Sequence, residues 1–507
     1  MSNLYSLFRS RFSAKGAESS ILSADREVVL TFDQLDESSA GMAGLFDSLG
    51  LGQGDRIIVQ VEKSIEIMLI YLGCLRRGII FIPLNTAYTS NEVDYFVSNA
   101  KPALIVCCPE AEDRLSLVAQ KNDVSHLLTL SSDGGGSLIQ RARDIKPVYD
   151  IIDVEDDDIA AILYTSGTTG ASKGAMLSHK NLSSNVQALH QIWGWQADDV
   201  LLHTLPIFHA HGLFVGVHLA LLNASAMIFL PKFNDQQVIG LLNHATVFMG
   251  VPTFYTRLLD NDSFTKETCA NMRLFISGSA PLLGETFDNF FTQTGHKILE
   301  RYGMTEATMI TSNPLDGERV ASTVGFPLPD VQARVVDEQG QTIGDEQQIG
   351  QLEIVGPNVF KGYWKMPEKT KEEFTSDGFF RTGDLATIDK EGRVAIVGRS
   401  KDLIISGGYN VYPKEIESHI DDILGVKESA VIGLQHAEFG EAVTAVVVLE
   451  EDSEATKQII IDSLKDSLAK FKLPKEIFFV DQLPRNTMSK VQKKQLRDEY
   501  QGTYLES

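Results

Sequence analysis

From Ser64 to Arg77 the apolar residues Ile65, Met68, Leu69 and Leu72 recur at helical spacing, and the run Gly78-Ile-Ile-Phe-Ile82 that follows ends at Pro83 like a buried strand. Two further apolar runs, Ala103 to Cys107 and Ala160 to Tyr164, stand among helix-like stretches, and the second empties into a Ser/Thr/Gly segment. Alternation of this kind predicts α/β layers on largely parallel sheets whose strands feed functional loops. Ser131 to Ser137, with Gly134-Gly135-Gly136, predicts a turn rather than a linker, because globular patterning resumes on both sides.

From Gly350 the pattern changes to short alternating strands, Gln351 to Val355 and Arg393 to Val397, between Gly and Asp turns. A β-rich subdomain over about residues 325–400 is expected. The polar stretch Ser400-Lys401-Asp402 then precedes Ile404 to Asn410, a helix from about Pro413, and alternating strands and helices. The expected fold class is α/β, with a large N-terminal domain of layered α/β subdomains over 1–400 and a small α+β C-terminal domain over 401–507.

At 507 residues the chain is too long for one hydrophobic core, which agrees with that division. Lys plus Arg is 45 against Asp plus Glu 68, a formal charge of -23, which argues against a nucleic-acid or anionic-membrane binder. Cys74, Cys107, Cys108 and Cys269 have neither CxxC spacing nor the density of a disulfide framework, so a reducing compartment is expected. The least polar stretch, Gly212 to Pro231, is interrupted by His218, Asn223 and Ser225, whereas a membrane span needs about 20 predominantly apolar residues. Met1 to Ser20, with Arg9, Arg11 and Lys15 among serines, reads either as a transit peptide or as a first helix, and the cytoplasm is the expected location.

The strongest local signal is Tyr164-Thr-Ser-Gly-Thr-Thr-Gly-Ala-Ser-Lys-Gly174, directly after an apolar strand. Glycines free backbone N–H groups, hydroxyls add donors and Lys173 supplies a cation, a combination suited to a polyphosphate. Gly174 follows the lysine where a Walker A loop has Ser or Thr, so any nucleotide is held by a different geometry. The bland alternative is a flexible Ser/Gly surface loop.

Behind it, in order, stand Ser277-Gly-Ser-Ala280, Arg301-Tyr-Gly-Met-Thr-Glu306, Thr382-Gly-Asp-Leu385, Gly398-Arg-Ser-Lys-Asp402, Ser406-Gly-Gly-Tyr-Asn410 and Pro484-Arg-Asn-Thr-Met-Ser-Lys490. With these motifs the chain resembles, over nearly its whole length, the adenylate-forming superfamily of acyl-CoA synthetases, luciferases and peptide-synthetase adenylation domains. The resemblance implies that ATP converts a carboxylate to an acyl-adenylate with loss of pyrophosphate and that the thiol of CoA then displaces AMP. It implies that Thr165, Ser166, Gly167, Thr168, Thr169, Gly170 and Lys173 cradle the β- and γ-phosphates, and that Glu306 and the Thr165 hydroxyl help hold Mg²⁺. Asp384, assisted by Arg399, would accept from the ribose hydroxyls, and Gly278, Ser279, Ala280 and Tyr302 would line the adenine pocket, with Gly303, Met304 and Thr305 completing the nucleotide wall. Taken alone, Asp384 could be a turn residue and Tyr302 core packing.

Lys490 is the candidate catalytic lysine, an ammonium able to meet the carboxylate and α-phosphate oxygens, although a lone lysine beside Lys493 and Lys494 is more commonly a solvated one. The superfamily usually has Gly before this lysine, and here Ser489 stands there. Its charge also makes Lys490 the side chain that a lysine acetyltransferase and deacetylase would switch. The resemblance further implies a small domain that rotates about Lys401 between half-reactions and brings Gly407 and Gly408 to the pantetheine tunnel.

Arg301 precedes Tyr302 on the wall where such enzymes seat the acyl group, a place an apolar tail would not share with a guanidinium. A buried guanidinium needs a partner, and a second carboxylate on a short diacid would supply one bidentately. Arg257 and the Ser279 hydroxyl are expected to complete this clamp, with His209 nearby. The alternative partners are Glu300 or another acid, and a metal held by His209 and His211 is disfavoured for want of further ligands. Within the superfamily the chain is most similar to the malonate-activating branch, including in Asn358-Val-Phe-Lys-Gly-Tyr-Trp364. Methylmalonate, another short acid, a stand-alone adenylation enzyme and a non-catalytic nucleotide or acyl sensor are the competing readings. If Lys401 is the pivot, Lys401→Pro should spare acyl-adenylate formation and cripple thioester formation, measured as separate half-reactions. Equal loss of both contradicts rotation.

Overall fold

The computed structural model describes residues 2–12, 14–165, 172–343, 348–406, 409–436, 439–465, 467–486 and 490–504. Its architecture is α/β, with four sheets among the described residues. One has six strands, ordered from the edge His126–Thr129 through Leu104–Cys107, Arg56–Gln60, Ile80–Pro83 and Ile159–Thr165 to Lys173–Ser178. All its pairings are parallel except the last, Ile159–Thr165 with Lys173–Ser178, where the chain doubles back across the Ser/Thr/Gly segment. The helix Ile65–Arg77 forms at the expected place, with Ser64 at its N-cap and Gly78 ending it at φ 61°.

The second sheet has nine strands, and its central members, Ala226–Phe229, Val200–His203, Val247–Gly250, Leu274–Ser277 and Leu299–Met304, run parallel. Their carboxyl ends place His203 against the Gly212 carbonyl at 2.9 Å and carry Ser277, Arg301 and Tyr302. The crevice beyond such ends is where α/β sheets bind ligands. The apolar stretch after His209 is a buried π-helix, His211–Val217, running into the helix His218–Asn223 and the strand Ala226–Phe229. Among the described residues no helix is long and apolar enough to cross a membrane.

An antiparallel four-stranded sheet follows, Gln332–Val336, Gly350–Val355, Phe380–Ile388 and Val394–Arg399. The 3₁₀ turn Ser400–Asp402 then leads into the last, five-stranded sheet, centred on the long pair Val426–His436 and Gly440–Leu449. The turn is tied to both sides. Ser400 Oγ donates to Gln351 Oε1 at 2.8 Å, and Asp402 pairs at 2.9 Å with Arg497 on the helix Lys493–Tyr500.

At the other end of the chain, Leu4–Phe12 is a helix whose Leu4, Tyr5, Phe8 and Phe12 enter the largest core. Arg76, fully buried, fastens it there by donating to Tyr5 Oη at 2.8 Å, to Ser39 Oγ at 3.1 Å and to the Tyr149 carbonyl at 3.0 Å while pairing with Asp36. Arg76→Met removes the buried cation from Asp36 and Tyr5 and leaves Asp36, among the described residues, only the ion pair with Arg9 at 3.4 Å. A loss of about 1.5–3 kcal/mol is expected from the first urea transition, and an unchanged midpoint would show that the pair contributes nothing.

Candidate active site

Alternation along Leu299–Met304 places Glu300 and Arg301 on opposite faces of one strand. On one face Glu300 Oε1 accepts from the Leu282 N–H at 3.0 Å, and burial pushes its carboxyl up to about 7. On the other face Arg301 is 3% exposed, and its Nε and Nη2 have no hydrogen-bond partner. No acid of the described residues lies within ion-pairing distance of it, so Glu300 is not its partner. Burial lowers its pKa to about 9, which still leaves the cation in place at neutral pH.

Gly278 is what allows this position: a Cβ there would overlap the guanidinium of Arg301. The next residue, Ser279, takes φ 72°, a left-handed conformation that a non-glycine residue adopts at a cost, and its Oγ meets His211 Nδ1 at 3.3 Å. The His211 N–H in turn donates to His209 Nδ1 at 3.3 Å. Burial, with Lys490 and Arg301 nearby, pushes His209 down to about 3, and burial beside Arg301 also holds His211 well below the ordinary imidazole range. Two neutral imidazoles therefore flank the guanidinium. Arg257 is not brought to this place. It lies on the surface, paired with Asp235 at 3.5 Å and packed over Phe233, so the expected clamp loses that member.

At the nucleotide end Asp384 and Arg399 are cross-strand partners, joined at 2.8 Å through Arg399 Nε. Gly383 turns at φ 72° just before Asp384, and the Tyr302 hydroxyl donates to the second carboxylate oxygen. Burial raises the Asp384 pKa and Arg399 opposes it. Glu306 is buried, with its carboxyl raised by burial, and Oε1 accepts from the Tyr363 hydroxyl at 3.0 Å. Lys173 lies over the Tyr363 ring at 4.2 Å and pairs with Glu373 at 3.3 Å. Tyr363 thus links Lys173 to Glu306, a role that nothing in the Gly362-Tyr363-Trp364 run announces. Thr165 Oγ1 reaches the Lys173 carbonyl at 3.4 Å across the antiparallel pair. Ser166, Gly167, Thr168, Thr169 and Gly170 lie outside the described residues, as do Gly407, Gly408 and Ser489.

Lys490 closes the site. Its N–H donates to Asn486 Oδ1 at 2.9 Å, and its carbonyl accepts from the Asn486 N–H at 2.9 Å and from Gln492 Nε2 at 3.2 Å, so its backbone is pinned on both sides. Burial lowers the pKa of its ammonium, Arg399 and Arg301 lower it further, and Asp384 and Glu306 counteract. Among the described residues this ammonium has no ion pair or hydrogen bond of its own. The arrangement joins one end lined by an unpaired guanidinium and neutral imidazoles to another lined by two buried carboxylates, with a cation between. No cluster of three His, Cys, Asp or Glu side chains able to hold a metal occurs among the described residues. The single buried Glu306 carboxylate fits Mg²⁺ arriving with phosphate oxygens as its other ligands.

Residues 10–364 match the AMP-binding enzyme family, and residues 415–490 match the AMP-binding enzyme C-terminal domain. A malonate–CoA ligase of Arabidopsis thaliana is 35% identical over 492 residues, spanning 89% of this chain and 79% of its own length. The mitochondrial malonate–CoA ligase of Mus musculus is 36% identical over 481 residues, spanning 88% of this chain and 81% of its own. ATP-bound MatB from Rhodopseudomonas palustris is 51% identical and superposes with a TM-score of 0.96 over 99% of both chains. The apo structure of that protein gives 0.85 at the same identity and coverage, so the arrangement described here is closer to the nucleotide-bound one. Gly278→Ala should push the guanidinium aside at an overpacking cost of about 1–3 kcal/mol, roughly fivefold or more in the KM of the acid substrate. The KM of ATP should rise less than that of the acid, and an unchanged acid KM would place Arg301 outside acid recognition.

Proposed function

The chain belongs to the AMP-binding enzyme family, and we propose that it is a malonate–CoA ligase converting malonate, ATP and CoA to malonyl-CoA, AMP and pyrophosphate in the cytoplasm. The observation that carries the substrate is Arg301, a buried cation whose Nε and Nη2 have no protein partner. A planar guanidinium with free donors matches a carboxylate in bidentate geometry. One carboxylate of malonate would satisfy it, leaving the other to be activated.

A carboxylate is a poor acyl donor because its leaving group would be oxide. Attack of its oxygen on the α-phosphorus of ATP expels pyrophosphate and creates a mixed anhydride whose leaving group is AMP. The attack brings together two anions, and Lys490, the one cation here without a fixed partner among the described residues besides Arg301, is placed to offset that charge. Asp384 with Arg399 and Tyr302 would orient the ribose, and Lys173 with the adjoining loop the terminal phosphates. Mg²⁺ would sit against Glu306 and neutralise phosphate charge. The CoA thiol, giving its proton to solvent, then attacks the acyl carbon, and AMP leaves with the bonding pair. The second step requires Lys490 to withdraw, for which the doubly tied turn at Lys401 is the expected pivot, with Gly407 and Gly408 moving to the thiol channel. Neutralising Lys490 by acetylation would act on the first step alone.

Losing the carboxylate opposite a desolvated arginine costs roughly 3–5 kcal/mol, which is two to almost four orders of magnitude in kcat/KM. With ATP, Mg²⁺ and CoA, malonate should therefore outrun acetate by at least about a hundredfold and yield AMP, not ADP. Methylmalonate adds only a methyl, worth about 1–3 kcal/mol, so measurable turnover is expected. Arg301→Met should erase the preference for malonate over acetate while AMP remains the product. ADP formation would discard the adenylate route, and acetate outrunning malonate in the unaltered enzyme would discard the diacid.

A further inference from the structure

The turn bearing His209 and His211 is contacted by two further residues that the diacid reading above does not use, Lys63 and His203. Lys63, in the loop after the strand Arg56–Gln60, places its ammonium 2.9 Å from His203 Nδ1 and 3.1 Å from the His203 carbonyl, over the Phe229 ring at 4.3 Å. No acid of the described residues pairs with it. His203 is 2% exposed, stacks on Phe229 at 5.2 Å, and meets the Gly212 carbonyl through Nε2 at 2.9 Å.

These contacts determine the tautomer. A carbonyl only accepts, so Nε2 carries the proton and Nδ1 is left as an acceptor that the Lys63 ammonium fills. Gly212 sits in the first turn of the π-helix His211–Val217, and its own freedom to move is small because a Cβ there would overlap the Pro206 carbonyl. The Leu213 N–H donates to the His209 carbonyl at 3.1 Å, which joins the anchored turn to His209, while His211 contacts Ser279.

We propose that Lys63 and His203 are positioning residues for acid recognition: Lys63 fixes the His203 tautomer, His203 anchors the Gly212 carbonyl, and the anchored turn presents His209 and His211 beside Arg301. This rests on the diacid reading above and adds to it a relay from a separate sheet. Burial without an acid lowers the Lys63 pKa well below the ordinary lysine range, and the group keeps an N–H to give to His203 Nδ1 whether or not it is charged. Asp384, Arg399 and Lys173 at the nucleotide end stand on other elements, the pair Phe380–Ile388 and Val394–Arg399 and the strand Lys173–Ser178, so the relay should act on the acid far more than on ATP.

The test is steady-state kinetics on Lys63→Met, His203→Gln and His203→Asn in the full-length enzyme. Gln can place an N–H where Nε2 stood, whereas Asn reaches only the Nδ1 position. Losing a hydrogen bond to a charged or buried partner is worth about 1.5–3 kcal/mol, so Lys63→Met and His203→Asn should raise the malonate KM about tenfold or more. The ATP KM should stay within about twofold, and His203→Gln should keep the malonate KM within about threefold. Indistinguishable Gln and Asn variants, parallel rises in both KM values, or an unmoved malonate KM in Lys63→Met would overturn the proposal. Should Lys63→Met fail to fold, the Gln and Asn pair decides alone. If the unaltered enzyme prefers another acid, the diacid reading falls separately, and the same ratios are read with that acid.

Discussion

A guanidinium buried without a protein acid is an unstable thing to leave in a folded chain, and the acid-binding half of this molecule is organised around tolerating Arg301. Strand alternation turns Glu300 away from it and ties that carboxylate to the Leu282 N–H. Gly278 withholds the side chain that would displace it. His209 and His211 are kept neutral, so they neither repel the cation strongly nor compete with it as anchors for an anion. The chain carries a formal charge of -23, yet its acid-binding half holds the Arg301 guanidinium with no protein acid paired to it among the described residues, an arrangement suited to an anionic ligand.

The nucleotide end follows the opposite rule, with charges buried in company. Asp384 is shared between Arg399 and Tyr302, and Glu306 is steadied by Tyr363, which also supports Lys173. Lys490 comes between the two halves on a segment belonging to the last domain, and its backbone is held by Asn486 and Gln492 rather than by the cavity. A cation secured from outside the site can be withdrawn without dismantling it, and the 3₁₀ turn at Ser400–Asp402 is the pivot proposed for that movement.

Much of the scaffold was legible because burial in parallel strands writes itself as short apolar runs. Ile80–Pro83, Leu104–Cys107 and Ile159–Thr165 lie where those runs stand, as does the helix Ile65–Arg77. The π-helix His211–Val217 was not legible, since an unbroken apolar run carries no period that separates it from an α-helix or a strand. Arg257 was placed in the clamp from its sequence neighbourhood alone. Within the helix Pro252–Leu259, inward Tyr255 and Leu258 leave Arg257 on the outer side, and that geometry was available from the spacing. Tyr363, Lys63 and His203 act through contacts across elements distant in sequence, for which no local pattern exists.

The most direct measurement is a ligand-bound crystal structure of the enzyme trapped with a non-hydrolysable malonyl-adenylate analogue. The account predicts the distal carboxylate against Arg301 with N–O separations of about 2.7–2.9 Å, and Lys490 at the acyl-phosphate end. A guanidinium turned instead toward a protein carboxylate, with the distal carboxylate in solvent, would contradict it.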